Sequence, residues 1–178
     1  MELCWKGVPD PSPCTAGITA KILVEQLGLE PHPEGGWFRE LHRSAIPVER
    51  GDGEQRCGLT VIWFLLTATE ISRWHRVSGA DETWHHAGGA PLQLWLLPPG
   101  GGVADQKLLG PLGGGCGSEA EVLPVRVVPA GWWQAARCLG DWSLVNCCVG
   151  PGFSFQDFEL LHSWPAADHP PGVLVELL

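Results

Sequence analysis

Two rhythms run along this chain. Between Thr15 and Gly28, "TAGITAKILVEQLG" places Ile18, Ile22, Leu23 and Leu27 at helical spacing, with Thr15 as a cap and Gly28 as the stop. Beyond it the rhythm shortens. "GGWFRELHRS" (35–44) alternates, and "GLTVIWFLLT" (58–67) is β-branched and aromatic. The runs at 81–88, 91–98, 121–129 and 141–153 are each short, apolar or alternating, and bounded by Gly, Pro or Asp. Strands of this kind predict an all-β, antiparallel sandwich or barrel with a short N-terminal helix. The domain is expected over residues 15–164. Residues 1–14 show no periodicity and read as a flexible tail. Residues 98–117, "PPGGGVADQKLLGPLGGGCG", are too rich in Gly and Pro for a core element and read as a loop insertion. Residues 165–178 form an extension with a short apolar end, suited to a last strand or a partner contact.

Composition narrows the function classes. With 178 residues the chain can bury a substantial core. Net charge is −9 and the 11 Lys and Arg never cluster, which speaks against a nucleic-acid surface. The longest apolar run, Leu59–Ala68, is far short of the ~20 residues that span a bilayer, and no signal peptide is visible. A cytoplasmic protein without membrane contact is expected. Seven cysteines without a Cys-x-x-Cys pair suggest neither a zinc ribbon nor a disulfide framework.

Chemistry concentrates in "SRWHRVSGADETWHH" (72–86). By strand parity Glu82, Trp84 and His86 share one face, and Asp81, Thr83 and His85 the other. A carboxylate facing a barrel interior must be hydrogen-bonded, paired or metal-bound. His75, one strand earlier, would meet Glu82 there as an acid/base pair or a partial metal set. In "VPAGWWQAA" (128–136) a Pro-x-Gly turn precedes a strand that would project Gln134 beside both.

These residues resemble the two cupin motifs. His75, Glu82 and Gly89 follow the first motif, with Val77 at the second His position. Pro129, Gly131 and Gln134 follow the second motif, with Gln134 in place of its His and Cys138 in place of its Asn. More narrowly, "LEPHPEGGWFRE" (29–40), 72–94 and 128–160 resemble the cupin-5 family, the domain of unknown function 985. The resemblance implies a double-stranded β-helix, usually dimeric, binding a small molecule. It implies His75, Glu82 and His85 as catalytic candidates, His85 rather than His86 matching the family string. It implies Arg39, Trp84, Trp133 and Gln134 around a ligand. Three readings follow. One is an isomerase or epimerase acting on a sugar or nucleotide-sugar, with His75 as base, Glu82 orienting it and Arg39 holding an anionic group. The second is dioxygenase-like chemistry on a divalent metal ion held by His75, Glu82 and a third donor, Gln134, His85 or His86. The third is a metabolite-binding module without turnover. His32 and Glu34 lie with Arg39 on the entry "PHPEGGWFRE", where a surface or interface salt bridge is the alternative to a site role, and Asp157 is a further candidate in a segment otherwise suited to core packing and a chain turn.

Overall fold

A computed structural model describes residues 17–112 and 121–178. Thr15 and the glycines of 113–117 lie outside the described residues. The helix, α1 (Ala20–Leu27), starts later than the sequence suggests. Gly17 has φ 110°, so Thr19 becomes the cap, its hydroxyl accepting from the Ile22 N–H at 3.3 Å. Gly28 ends the helix at φ 61°.

Strands follow in chain order: β1 (Glu30–Pro31), β2 (Trp37–Arg43), β3 (Pro47–Glu49), β4 (Gln55–Cys57), β5 (Thr60–Thr67), β6 (Ile71–Val77) and β7 (Asp81–Gly89). Then come β8 (Leu92–Leu97), β9 (Asp105–Leu109), β10 (Val122–Leu123), β11 (Val125–Val128), β12 (Trp133–Cys138), β13 (Trp142–Gly150) and β14 (Phe158–Leu160). They build two six-stranded sheets, ordered β1-β2-β5-β13-β7-β11 and β10-β9-β8-β12-β6-β14, with the small hairpin β3–β4 to one side. All pairings are antiparallel except the two-residue β9–β10 contact. The sheets face each other as an open sandwich; hydrogen bonds do not close them into the barrel that the resemblance suggested.

The stretch read as a loop insertion contains a strand. β9 pairs with β8, and Leu109 is fully buried. The strand forms in spite of its Gly-rich flanks, its three polar residues leading to Leu108 and Leu109 at the core end.

Between the sheets lies an apolar core that includes Leu66, Leu92, Leu94, Ala136 and Val145. Both outer faces are also covered. α1 lays Leu23, Val24 and Leu27 over Trp37, Trp63 and Leu144. From Leu161 onward the chain covers the other side in single helical turns at Leu161–Ser163, Ala166–Asp168 and Val175–Leu177. It seats Leu161 and Leu177 on Trp74, Trp95 and Trp133. The apolar end is thus not a strand. It folds back because this face of the sheet carries three indoles. No helix among the described residues is long and apolar enough to cross a membrane.

Leu177 is completely buried. Leu177→Ala should therefore lower stability by about 3 kcal/mol, read as a lower urea midpoint with an unchanged slope.

Candidate functional site

Two irregularities decide which side chains face inward. Between β6 and β12, Gln134 pairs with His75 and Ala136 with Ser72, so β6 carries one extra residue. This bulge breaks strict alternation. Ser72, His75 and Val77 turn inward, while Trp74 turns out into the C-terminal core. A second bulge lies in β2, where Glu40 pairs with Ile62 and His42 with Val61, leaving Leu41 extra. It brings Glu40 and Arg43 to the same inner face, where Arg43 donates to both Glu40 carboxylate oxygens at 3.1 and 2.7 Å.

The cavity that results lies between the sheets and opens at one mouth. Phe38, Phe64, Trp84, Ile62 and Val149 form its walls. Phe153, Phe155 and Phe158 gather at one side with ring centroids 5.0–6.0 Å apart. Glu34, His75 and Glu82 are its buried polar lining residues together with Thr60.

Glu34 arrives on a loop. "HPEGG" turns tightly, with the Gly35 N–H bonded to the His32 carbonyl and the His32 N–H to the Gly36 carbonyl, both at 3.0 Å. The Arg73 N–H then donates to the Glu34 carbonyl at 2.8 Å, docking the loop on β6. Gly35 has φ 110°, and a Cβ there would run into the Ile71 carbonyl. Only glycine fits both the conformation and the approach.

Beneath this loop Glu34 is 5% exposed. One oxygen accepts from the Ser72 hydroxyl at 2.7 Å. The other lies 3.2 Å from His75 Nε2 and 3.3 Å from His32 Nδ1. His75 Nδ1 lies 2.7 Å from the Arg73 carbonyl, which can only accept, so this nitrogen carries a hydrogen. Nε2 and the Glu34 carboxylate lie within ion-pair range and become a charged pair when the imidazole takes a second proton. Burial pushes Glu34 up, but His75, His32 and Ser72 outweigh it and hold the group below its ordinary value. Burial likewise pulls the His75 imidazole down, opposed by Glu34 and the Arg73 carbonyl.

Glu82 faces the same cavity in a different state. Trp84 Nε1 donates to Gln134 Oε1 at 2.9 Å, which fixes the amide's orientation and aims Nε2 at Glu82. That nitrogen donates to Glu82 Oε2 at 2.6 Å. Burial, reinforced by the charge of Glu34, pushes Glu82 up to about 8 against the bonds from Gln134 and Cys147. Near neutral pH it is a carboxylic acid, and its proton belongs on Oε1, the oxygen Gln134 leaves free. The Cys147 thiol beside it is raised well above its ordinary value, by burial first and then by Glu82.

The other expected site residues are placed as follows. Trp84 lines the cavity. Gln134 is buried and spends both ends on Trp84 and Glu82 rather than facing a ligand. His85 Nε2 reaches Thr83 Oγ1 at 3.0 Å, away from the cavity, and His86 Nε2 reaches the Ala90 carbonyl at 3.3 Å. Trp133 packs outward against Trp164 and under Arg76. Arg39 donates to the Leu27 carbonyl at 2.8 Å, tying β2 to the end of α1. Asp157 accepts from Arg56 at 2.6 and 2.8 Å and pairs with Arg50, clamping the β3–β4 hairpin onto the segment before β14. The partner of His75 is thus Glu34, where the sequence suggested Glu82. Its signal was the double glycine that forces the loop against β6.

A metal ion on the usual cupin ligands does not fit these residues. Val77 offers no donor atom, and the Gln134 oxygen is taken by Trp84. Glu82 is held neutral. Among the described residues no three His, Cys, Asp or Glu side chains gather in a ligand arrangement.

The raised Glu82 has a consequence for stability. Its proton is kept in the fold up to about 8 but lost in the unfolded chain near 4.5. Its contribution is complete below that lower value and is lost as pH rises toward 8. Glu82→Gln should therefore lose less stability than the parent between pH 5 and 8, measured by thermal melts across that range.

The comparisons agree with the geometry. Residues 21–161 match the family model of the cupin superfamily described as Cupin_5, DUF985. A hypothetical protein from Leishmania major is 34% identical, with a TM-score of 0.71 over 80% of this chain and 86% of that one. Protein SO0799 from Shewanella oneidensis is 34% identical, with a TM-score of 0.70 over 81% of this chain and 85% of that one. The uncharacterized protein YML079W of Saccharomyces cerevisiae is 28% identical, over 93% of this chain and 85% of its own length. With the fold, the motifs and the matched span in accord, the chain belongs to the cupin-5 family of the cupin superfamily.

Proposed function

We propose that the cavity binds a small carbonyl compound and moves a proton on it, as an isomerase or epimerase does. One observation carries this reading. A buried carboxylic acid, Glu82, and a close imidazole–carboxylate pair, His75–Glu34, line the same sheltered cavity. In the step envisaged, the pair takes a proton from the carbon next to the carbonyl. The C–H electrons become the C=C bond, and the carbonyl π pair takes the proton of Glu82 to form an enol. Returning a proton to the other face gives an epimer; returning it to the far carbon gives an isomer. Both polar groups are out of water, where such transfers gain from preorganised partners. Gln134 and Trp84 serve by fixing which Glu82 oxygen bears the proton.

Binding without turnover is the competing reading, and it shares the same cavity. Exchange of carbon-bound hydrogen separates the two. In D2O, a panel of sugars and ring ketones is followed by NMR for deuterium entering next to the carbonyl. Acceleration by the parent protein, and a loss of roughly 100-fold in His75→Asn and in Glu82→Gln, is expected for acid–base catalysis. The rate should fall as pH rises through about 8, where Glu82 gives up its proton. Exchange at the buffer rate with every compound in the panel would leave a binding protein.

A further inference from the structure

We infer that the cavity takes a neutral, flat, largely apolar ring compound carrying a carbonyl or hydroxyl oxygen at one end, and that it rejects phosphorylated and nucleotide-linked sugars. The inference deepens the proton-transfer reading by naming its substrate class, and it rests on that reading for the placement of the carbonyl.

Shape and surface come first. Apart from the buried polar set, the walls are aromatic and aliphatic. At the mouth the exposed Phe155 ring packs near Phe153 and Phe158, and it lies stacked over His32 at 6.3 Å between centroids, 24° from parallel. Such a lining rewards a ring and leaves the hydroxyls of a sugar without partners, at a cost for each one buried unpaired.

Charge points the same way. Three carboxyl groups line the cavity: Glu34, Glu40 and Glu82. Among the described lining residues the one guanidinium is Arg43, and it is already engaged. It donates twice to Glu40 and once to the Phe153 carbonyl at 3.0 Å. A diphosphate or carboxylate entering here would have to displace Glu40 from Arg43 and would still face Glu34. Anion sites on proteins offer unspent guanidinium or backbone N–H groups, and this cavity spends its guanidinium internally.

Titration calorimetry with three probes tests the inference: 2-tetralone as a neutral bicyclic ketone, 2-naphthoate as its anionic counterpart, and UDP-glucose. The ketone should bind at least roughly tenfold more tightly than the carboxylate, with no heat from the nucleotide sugar. Phe155→Ala removes an exposed ring and should weaken the ketone several-fold. Glu40→Gln frees Arg43 and should raise the affinity for naphthoate relative to tetralone by roughly tenfold. Tighter binding of naphthoate or UDP-glucose to the parent, an unbound ketone, or a Glu40→Gln variant with unchanged preference would each overturn the class.

Deuterium exchange on the same ketone keeps the two readings apart. Tetralone bound but not exchanged retains the class and removes proton transfer. Exchange on a sugar that binds while tetralone does not retains proton transfer and removes the class.

Discussion

A carboxylate cannot lie bare between two β-sheets, because the idealised penalty for removing an ion from water dwarfs what any single contact returns. Everything at the centre of this protein follows from meeting that constraint twice, by opposite routes. Glu34 is surrounded by a hydroxyl and two imidazoles and stays below its ordinary value. Glu82 is given one amide and a thiol, with a negative neighbour, and keeps its proton. The same side-chain chemistry thus yields a charge donor and an acid within one cavity.

The amide of Gln134 links this chemistry to the architecture. It stands on β12 in one sheet and bonds Trp84 and Glu82 on β7 in the other. Where the second cupin motif has a His, this chain presents a group that both accepts and donates. Gln134 thereby acts as a strut between the sheets, and it sets the direction of the acid proton. Membership of the family does not by itself specify a reaction.

Much of the fold was legible from alternation and breakers, including the strands that carry His75, Glu82 and Gln134. β9 was hidden because Gly and Pro crowd both of its ends and its own five residues do not alternate. At the site, the motif spacing located His75 and Glu82, but parity could not show their partners. Strand alternation assumes one residue per step, and the extra residues in β6 and β2 violate it. Nor does a sequence reveal that a loop residue such as Glu34 will be pressed beneath a strand. Arg39 and Trp133 looked like ligand contacts because they match family positions, yet they serve the outer faces, where packing selects the same residue types.

The bulge in β6 gives the far end of the chain a hold on the site. Trp74 and His75 are neighbours pointing to opposite sides, and Trp74 Nε1 donates to the Leu174 carbonyl at 3.0 Å. Straightening that strand would swing the indole away from its seat and rotate the imidazole with it. The terminal turns thus work as a latch on a lever whose other arm reaches Glu34. Slack in the latch is transmitted as misalignment of a hydrogen bond on the opposite side of the sheet.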